Sequence, residues 1–199
     1  MKLLKISYLL FFCLALEAVI VDTGHANVSL VKFESLEGDR SKTLLGIKMD
    51  MQENWHTYWK NPGDSGGPIK VKWSHDNNIS ISKIYWPTPT LIPYEPLMTY
   101  GYKNFVIFPF EITNSNNKNS YIEANIDFLI CDDICVPEKA LIKTNLDEIN
   151  IDPSLNDWFL KVPSQILPVR ASIVSEFINI RFSWPFDVSS ATFFIDNQD

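Results

Sequence analysis

Apolar and polar residues alternate along most of this chain. Leu45, Ile47, Met49 and Met51 alternate with Gly46, Lys48 and Asp50, and Ile69, Val71 and Trp73 alternate with Lys70 and Lys72. Ile122, Ala124, Ile126, Phe128 and Ile130 form the longest such row. Successive side chains of a strand point to opposite faces, so each row predicts a strand with one buried face. The turn-rich pieces "NPGDSGGP", "SHDNN" and "TNSNNKNS" separate the rows, the last joining a strand over 105–112 to one over 121–130. No segment carries a helical period of useful length. Short strands with turn signals at this spacing predict an all-β fold, an antiparallel β-sandwich over about 28–146.

The pattern changes after that. "DEINIDPSLNDWFLKVPSQILP" holds Pro153, Pro163 and Pro168, which break any regular element, and 151–168 is expected to be a linker. Strand-like runs return at 171–174, 177–184 and 191–195. Two or three strands do not close a core of their own, so 169–199 is expected to begin a second β region rather than to complete the first.

The N-terminus reads differently again. Lys2 and Lys5, an apolar run from Ile6 to Leu16 and the small-residue site Gly24-His25-Ala26 together predict a secretory signal over 1–26. The run is shorter than the roughly 20 apolar residues that span a bilayer, and because Glu17 blurs its end, a retained N-terminal anchor is the alternative reading. Cys13 lies inside this segment, which leaves Cys131 and Cys135 to the domain expected over 27–150. Export makes disulfide chemistry available to them. The formal charge of −7 and the lack of a basic patch argue against a nucleic-acid partner.

The two cysteines stand in "FLICDDICVPEKA". Four residues of extended strand would hold their Cα atoms roughly 13 Å apart, whereas a disulfide needs them within about 7 Å. A bond between them therefore requires Asp132, Asp133 and Ile134 to turn the chain sharply after Ile130. So small a loop constrains the unfolded chain little, and exposed bonds are the labile ones; a switchable bond explains the pair better than a staple. The flanking carboxylates disfavour a thiolate, which suits cysteines that react with a chosen partner and otherwise stay quiet. Two other readings remain open on spacing alone: an inert disulfide or buried thiol pair, and a zinc or copper(I) site completed by His56 or His75.

"CDDICVPE", taken in order with "NWHTYWKNPGDSGGP" and "WPTPTLIPYEPLMTYGY", resembles the N-terminal periplasmic domain of DsbD-type thiol:disulfide interchange proteins, and in particular the branch that includes the copper-sensitivity suppressor protein ScsB. The resemblance covers most of 28–146. It implies an immunoglobulin-like sandwich, periplasmic, whose redox-active cysteines take electrons from a thioredoxin-like domain fed by a membrane-embedded one. It further implies delivery to periplasmic thiol oxidoreductases, such as a disulfide isomerase or a cytochrome c maturation thioredoxin, as part of a protein-disulfide reductase with no cofactor or metal. By position, Cys131 and Cys135 are the redox pair, with Cys135 forming the mixed disulfide and Cys131 resolving it. A shielding flap would fall on 93–102, with Leu97, Met98 and Tyr100 over the sulfurs and Gly101 as a pivot. Tyr58 stands where the family places an aromatic near the cysteines, and Glu95, Asp132 and Asp133 are candidates for proton transfer or steering.

"GDSGGP" also surrounds the nucleophile of trypsin-like proteases. That mechanism needs a histidine base and a buried aspartate held at the serine, and neither His56 nor His75 stands in the expected context, so the loop reads as a turn between strands. The class-level rival to the redox relay is a non-enzymatic partner-binding or copper(I)-binding sandwich with a structural cysteine pair. Trp55, Trp59, Trp73 and Trp86 alternate with polar residues and read as sandwich core or rim.

Overall fold

A computed structural model describes residues 19–33, 42–115, 119–153, 156–164, 169–174, 177–182, 192 and 194. The signal-like apolar run, the "TNSNNKNS" tip and most of the run at 191–195 lie outside the described residues.

Two antiparallel sheets face each other. The first has the order β1-β2-β3-β9-β6, formed by β1 (Ile20–Asp22), β2 (Ala26–Lys32), β3 (Lys42–Met51), β9 (Phe105–Asn114) and β6 (Ile79–Ile81). The second has the order β11-β10-β4-β8-β7, formed by β11 (Cys135–Asn145), β10 (Tyr121–Cys131), β4 (His56–Gly63), β8 (Leu97–Lys103) and β7 (Thr90–Tyr94). β5 (Lys70–His75) also pairs with β10. The result is the all-β, immunoglobulin-like sandwich that the alternation and the resemblance predict. Burial follows the two-residue period: Leu45, Ile47 and Met49 of β3 and Ile122, Ala124, Ile126 and Ile130 of β10 are fully buried between the sheets. Phe108, Phe110 and Ile112 of β9, the neighbour of β3 in the first sheet, join the same core.

Three arrangements position the site. First, β5 and β4 share one edge of β10: β5 pairs along Ile122–Asp127, and β4 meets the strand at its end, where His56 stands opposite Cys131. Second, Gly101 pairs with Tyr58 across β4 and β8. A Cβ on Gly101 would collide with the Thr57 carbonyl, so this glycine allows the two strands to approach closely. Third, the expected turn "NPGDSGGP" starts late. Asn61, Pro62 and Gly63 still belong to β4, and the loop proper is Asp64 to Gly67.

Residues 20–26 are built into the sandwich. Ile20, Val21 and Asp22 pair with Ser29, Val28 and Asn27. Thr23 donates to Glu138 of β11, and His25 Nδ1 lies 2.5 Å from the same carboxylate while its ring stacks on Trp55. The boundary expected after Ala26 thus falls inside β2, after its first residue, and would separate β1 from the sandwich.

Past the sandwich, the proline-punctuated stretch holds one short helix, α1 (Asn156–Phe159), too brief to leave a periodic signal in the sequence. Trp158 and Phe159 pack on the cluster of Val31, Phe33 and Ile107, and Thr88 N–H donates to the Lys161 carbonyl. β12 (Val169–Val174) and β13 (Phe177–Phe182) pair with each other in a two-stranded antiparallel sheet of their own.

Candidate functional site

β10 and β11 run as one hairpin in unbroken register from Tyr121 opposite Asn145 to Cys131 opposite Cys135. Asp132, Asp133 and Ile134 make the turn, with Asp132 N–H donating to the Ile134 carbonyl. Directly opposed residues on antiparallel strands are the closest available pair, and here the Cα atoms are 4.1 Å apart and the sulfurs are bonded. The sharp bend that the sequence requires is present.

The two sulfurs are not equivalent. Cys131 ends the buried face of β10 and is 1% exposed, whereas Cys135 is exposed at the start of β11. The Tyr58 hydroxyl spans both: it donates to Cys131 Sγ at 2.9 Å and lies 3.4 Å from Cys135 Sγ. Burial pushes the Tyr58 hydroxyl above its ordinary value, so it keeps its proton and remains a donor.

Tyr58 is held from several sides. Thr57 Oγ1 donates to the Leu129 carbonyl, which fixes β4 against β10 beside the cysteines. The loop after β4 returns so that Pro68 bridges Tyr58 through the main chain. Gly66, at φ +88°, lies flat on the phenol ring, and a Cβ there would overlap it. The glycines of "GDSGGP" thus have a packing role, and no hydrogen bond joins Ser65 to either His56 or His75 among the described residues.

The disulfide opens into a cleft of about 210 Å³. His56 and Tyr58 form its floor, Ile92, Pro93, Tyr94 and Leu97 one wall, and Asp132 and Asp133 the rim. The His56 ring meets Tyr58 edge-on at 5.2 Å. Desolvation lowers the His56 pKa, the nearby Lys103 charge lowers it further, and Asp132 opposes both. The His56 ring is therefore neutral near pH 7, and the charged groups that line the cleft are Lys103, Asp132 and Asp133.

Cys131, Cys135, Tyr58, Leu97, Asp132 and Asp133 come together in this cleft. Met98, Tyr100 and Glu95 do not line it. The two-residue period of β8 turns Met98 and Tyr100 to the face opposite Leu97 and Thr99, and Tyr100 packs edge-on against Phe194 at 5.3 Å. Glu95 lies exposed in the turn between β7 and β8, where the Glu95–Pro96 peptide is cis. His56 was weighed in the sequence as a ligand or a protease base, not as cleft floor. Its position two residues before Tyr58 on one strand was the available signal, since residues i and i+2 share a face. Among the described residues, no group of three His, Cys, Asp or Glu side chains is arranged to hold a metal ion.

Comparison with known proteins gives two results. The family described as thiol:disulfide interchange protein DsbD, N-terminal, matches residues 27–146. Among solved structures, the N-terminal periplasmic domain of ScsB from Proteus mirabilis shares the fold, with a TM-score of 0.56 at 20% identity over 76% of this chain and 61% of that one. The chain thus spans less than two thirds of that domain. Two yeast GAE domains, those of GGA1 and of Saccharomyces cerevisiae GGA2p, align at TM-scores of 0.35 and 0.36 with 10% and 8% identity. They cover 65% and 64% of this chain and 98% and 97% of their own, and carry no argument at that level. No curated protein matches.

Proposed function

Because this chain belongs to the family of DsbD N-terminal domains, we propose that it is an exported thiol:disulfide interchange module, acting in the periplasm and carrying two electrons through Cys131 and Cys135. The observation that carries this reading is the asymmetry of the pair, an exposed sulfur bonded to a buried one that already accepts a hydrogen bond.

The chemistry follows from that asymmetry. A thiolate of an incoming dithiol attacks Cys135 Sγ, the sulfur within reach, and the Cys131–Cys135 bond breaks. Cys131 leaves as a thiolate and keeps the Tyr58 hydrogen bond, which replaces part of the hydration that the buried site denies it. The second thiol of the reductant then attacks the mixed disulfide and departs oxidised. Cys131 and Cys135 are left as a dithiol, having gained two electrons and two protons. In the delivering direction Cys135 attacks a disulfide on the target, and Cys131 resolves the mixed disulfide by re-forming the internal bond. No organic cofactor or metal enters either half. The family membership supports a thioredoxin-like reductant, fed by a membrane-embedded domain, and a periplasmic thiol oxidoreductase as target.

Equilibration in thiol redox buffers, read by alkylation and mass shift, tests this. The pair is expected to titrate within the range of dithiol oxidoreductases, roughly −120 to −270 mV. A bond that stays oxidised below about −300 mV would be structural and would end the relay reading.

A further inference from the structure

Gly66 of "GDSGGP" packs on Tyr58, and the aspartate of the same motif is tied to the wall of the cleft. β7 and β8 form a hairpin in which Tyr94 faces Leu97 and Pro93 faces Met98. Pro93 has no N–H to give. Both main-chain groups of Met98 are used on the other side, by Asp64. Met98 N–H donates to Asp64 Oδ2 at 2.9 Å, and Asp64 N–H donates to the Met98 carbonyl at 3.0 Å. The next residue back, Leu97, lines the cleft into which the disulfide opens. Two residues along the same loop, Gly66 lies on the Tyr58 ring. One short loop thus grips both the hairpin tip that walls the cleft and the phenol ring that meets the sulfurs.

We propose that Asp64 is a positioning residue for thiol exchange: its carboxylate latches the β7–β8 hairpin at Met98 and so sets how readily an attacking thiol reaches Cys135. The latch rests on the redox reading of the site. It acts through Leu97 and touches no reacting atom. The hairpin tip is suited to such control because β7 is an edge strand, and Tyr94, Leu97 and Met98 are all exposed. Few buried contacts hold the tip down, so a single side-chain hydrogen bond carries weight there.

The test uses the oxidised full chain and tris(2-carboxyethyl)phosphine, a small reductant whose rate reads access to the sulfurs without any partner protein. Asp64→Ala is expected to speed reduction about threefold or more, with the midpoint potential in thiol buffers unchanged. Asp64→Asn retains an acceptor oxygen and is expected to return the rate to within about twofold of the parent. Leu97→Ala opens the same wall, so adding Asp64→Ala to it is expected to change little. An unchanged rate in Asp64→Ala would overturn the latch, as would rate effects of Asp64→Ala and Leu97→Ala that simply multiply. Amide exchange at Met98, faster in Asp64→Ala than in the parent, separates a released tip from general unfolding; equal acceleration across β10 would also overturn it. Because the phosphine assay needs no biological partner, failure of the latch and failure of the relay are read separately.

Discussion

Among the described residues, the Tyr58 hydroxyl is the polar side-chain group that meets both sulfurs, and its consequence lies at the scale of a single bond. A hydrogen bond to a charged group contributes about 1.5–3 kcal/mol. If about half of that is expressed when the Cys131–Cys135 bond breaks, Tyr58→Phe slows reduction by a dithiol roughly three- to tenfold. The fold should tolerate the change, since the ring still fills the space beneath Gly66. Stopped-flow reduction at fixed pH checks this, and a rate equal to the parent's would remove Tyr58 from the mechanism. Tyr58 itself was legible as an aromatic at the site. That its hydroxyl meets Cys131 was not, because the contact joins residues 73 apart in sequence through the register of two strands. The same holds for Asp64, which looked like an ordinary turn residue because nothing local marks the Met98 main chain as its partner.

At the scale of elements, the rows that alternate most cleanly became the central strands. Ile122 to Ile130 lie on the buried face of β10, as the two-residue period requires, and the long register of β10 with β11 carries that order to the cysteines. Edge and boundary elements were harder to read. The two-strand sharing of the β10 edge, the late start of the "GDSGGP" loop and the opposite facing of Leu97 and Met98 all depend on which strand sits alongside. β1 is the clearest case. It was hidden inside a segment whose composition signals export, yet Thr23 and His25 partner the carboxylate of Glu138, a residue only 7% exposed. A chain beginning at Asn27 would lose β1 and both partners of that carboxylate, at a cost of about 1–3 kcal/mol. Urea denaturation of chains beginning at Val19 and at Asn27 measures the difference. Glu138→Leu should recover part of it in the shorter chain, and equal midpoints for the two chains would show that β1 contributes nothing.

Across the whole molecule, the sandwich supplies a rigid frame and leaves the working parts at one end of one sheet. The core is apolar and closed, so no disulfide is needed to hold it together. The cysteine hairpin projects Cys135 outward while β10 anchors Cys131 in the interior. The stretch after Asn150 is strapped back by Trp158, Phe159 and the Thr88–Lys161 hydrogen bond, and among the described residues no helix is long and apolar enough to cross a membrane. The site's location follows from this frame: a tight turn at the end of the longest strand pair is where a bond can be opened without disturbing the core. The most direct measurement of that claim is to react the oxidised chain with a thioredoxin-class dithiol protein whose resolving cysteine is replaced by serine, and to map the trapped mixed disulfide by peptide mass. The account predicts attachment at Cys135, with Cys131 free to alkylation after unfolding. Attachment at Cys131, or no adduct while the internal bond survives, would contradict it.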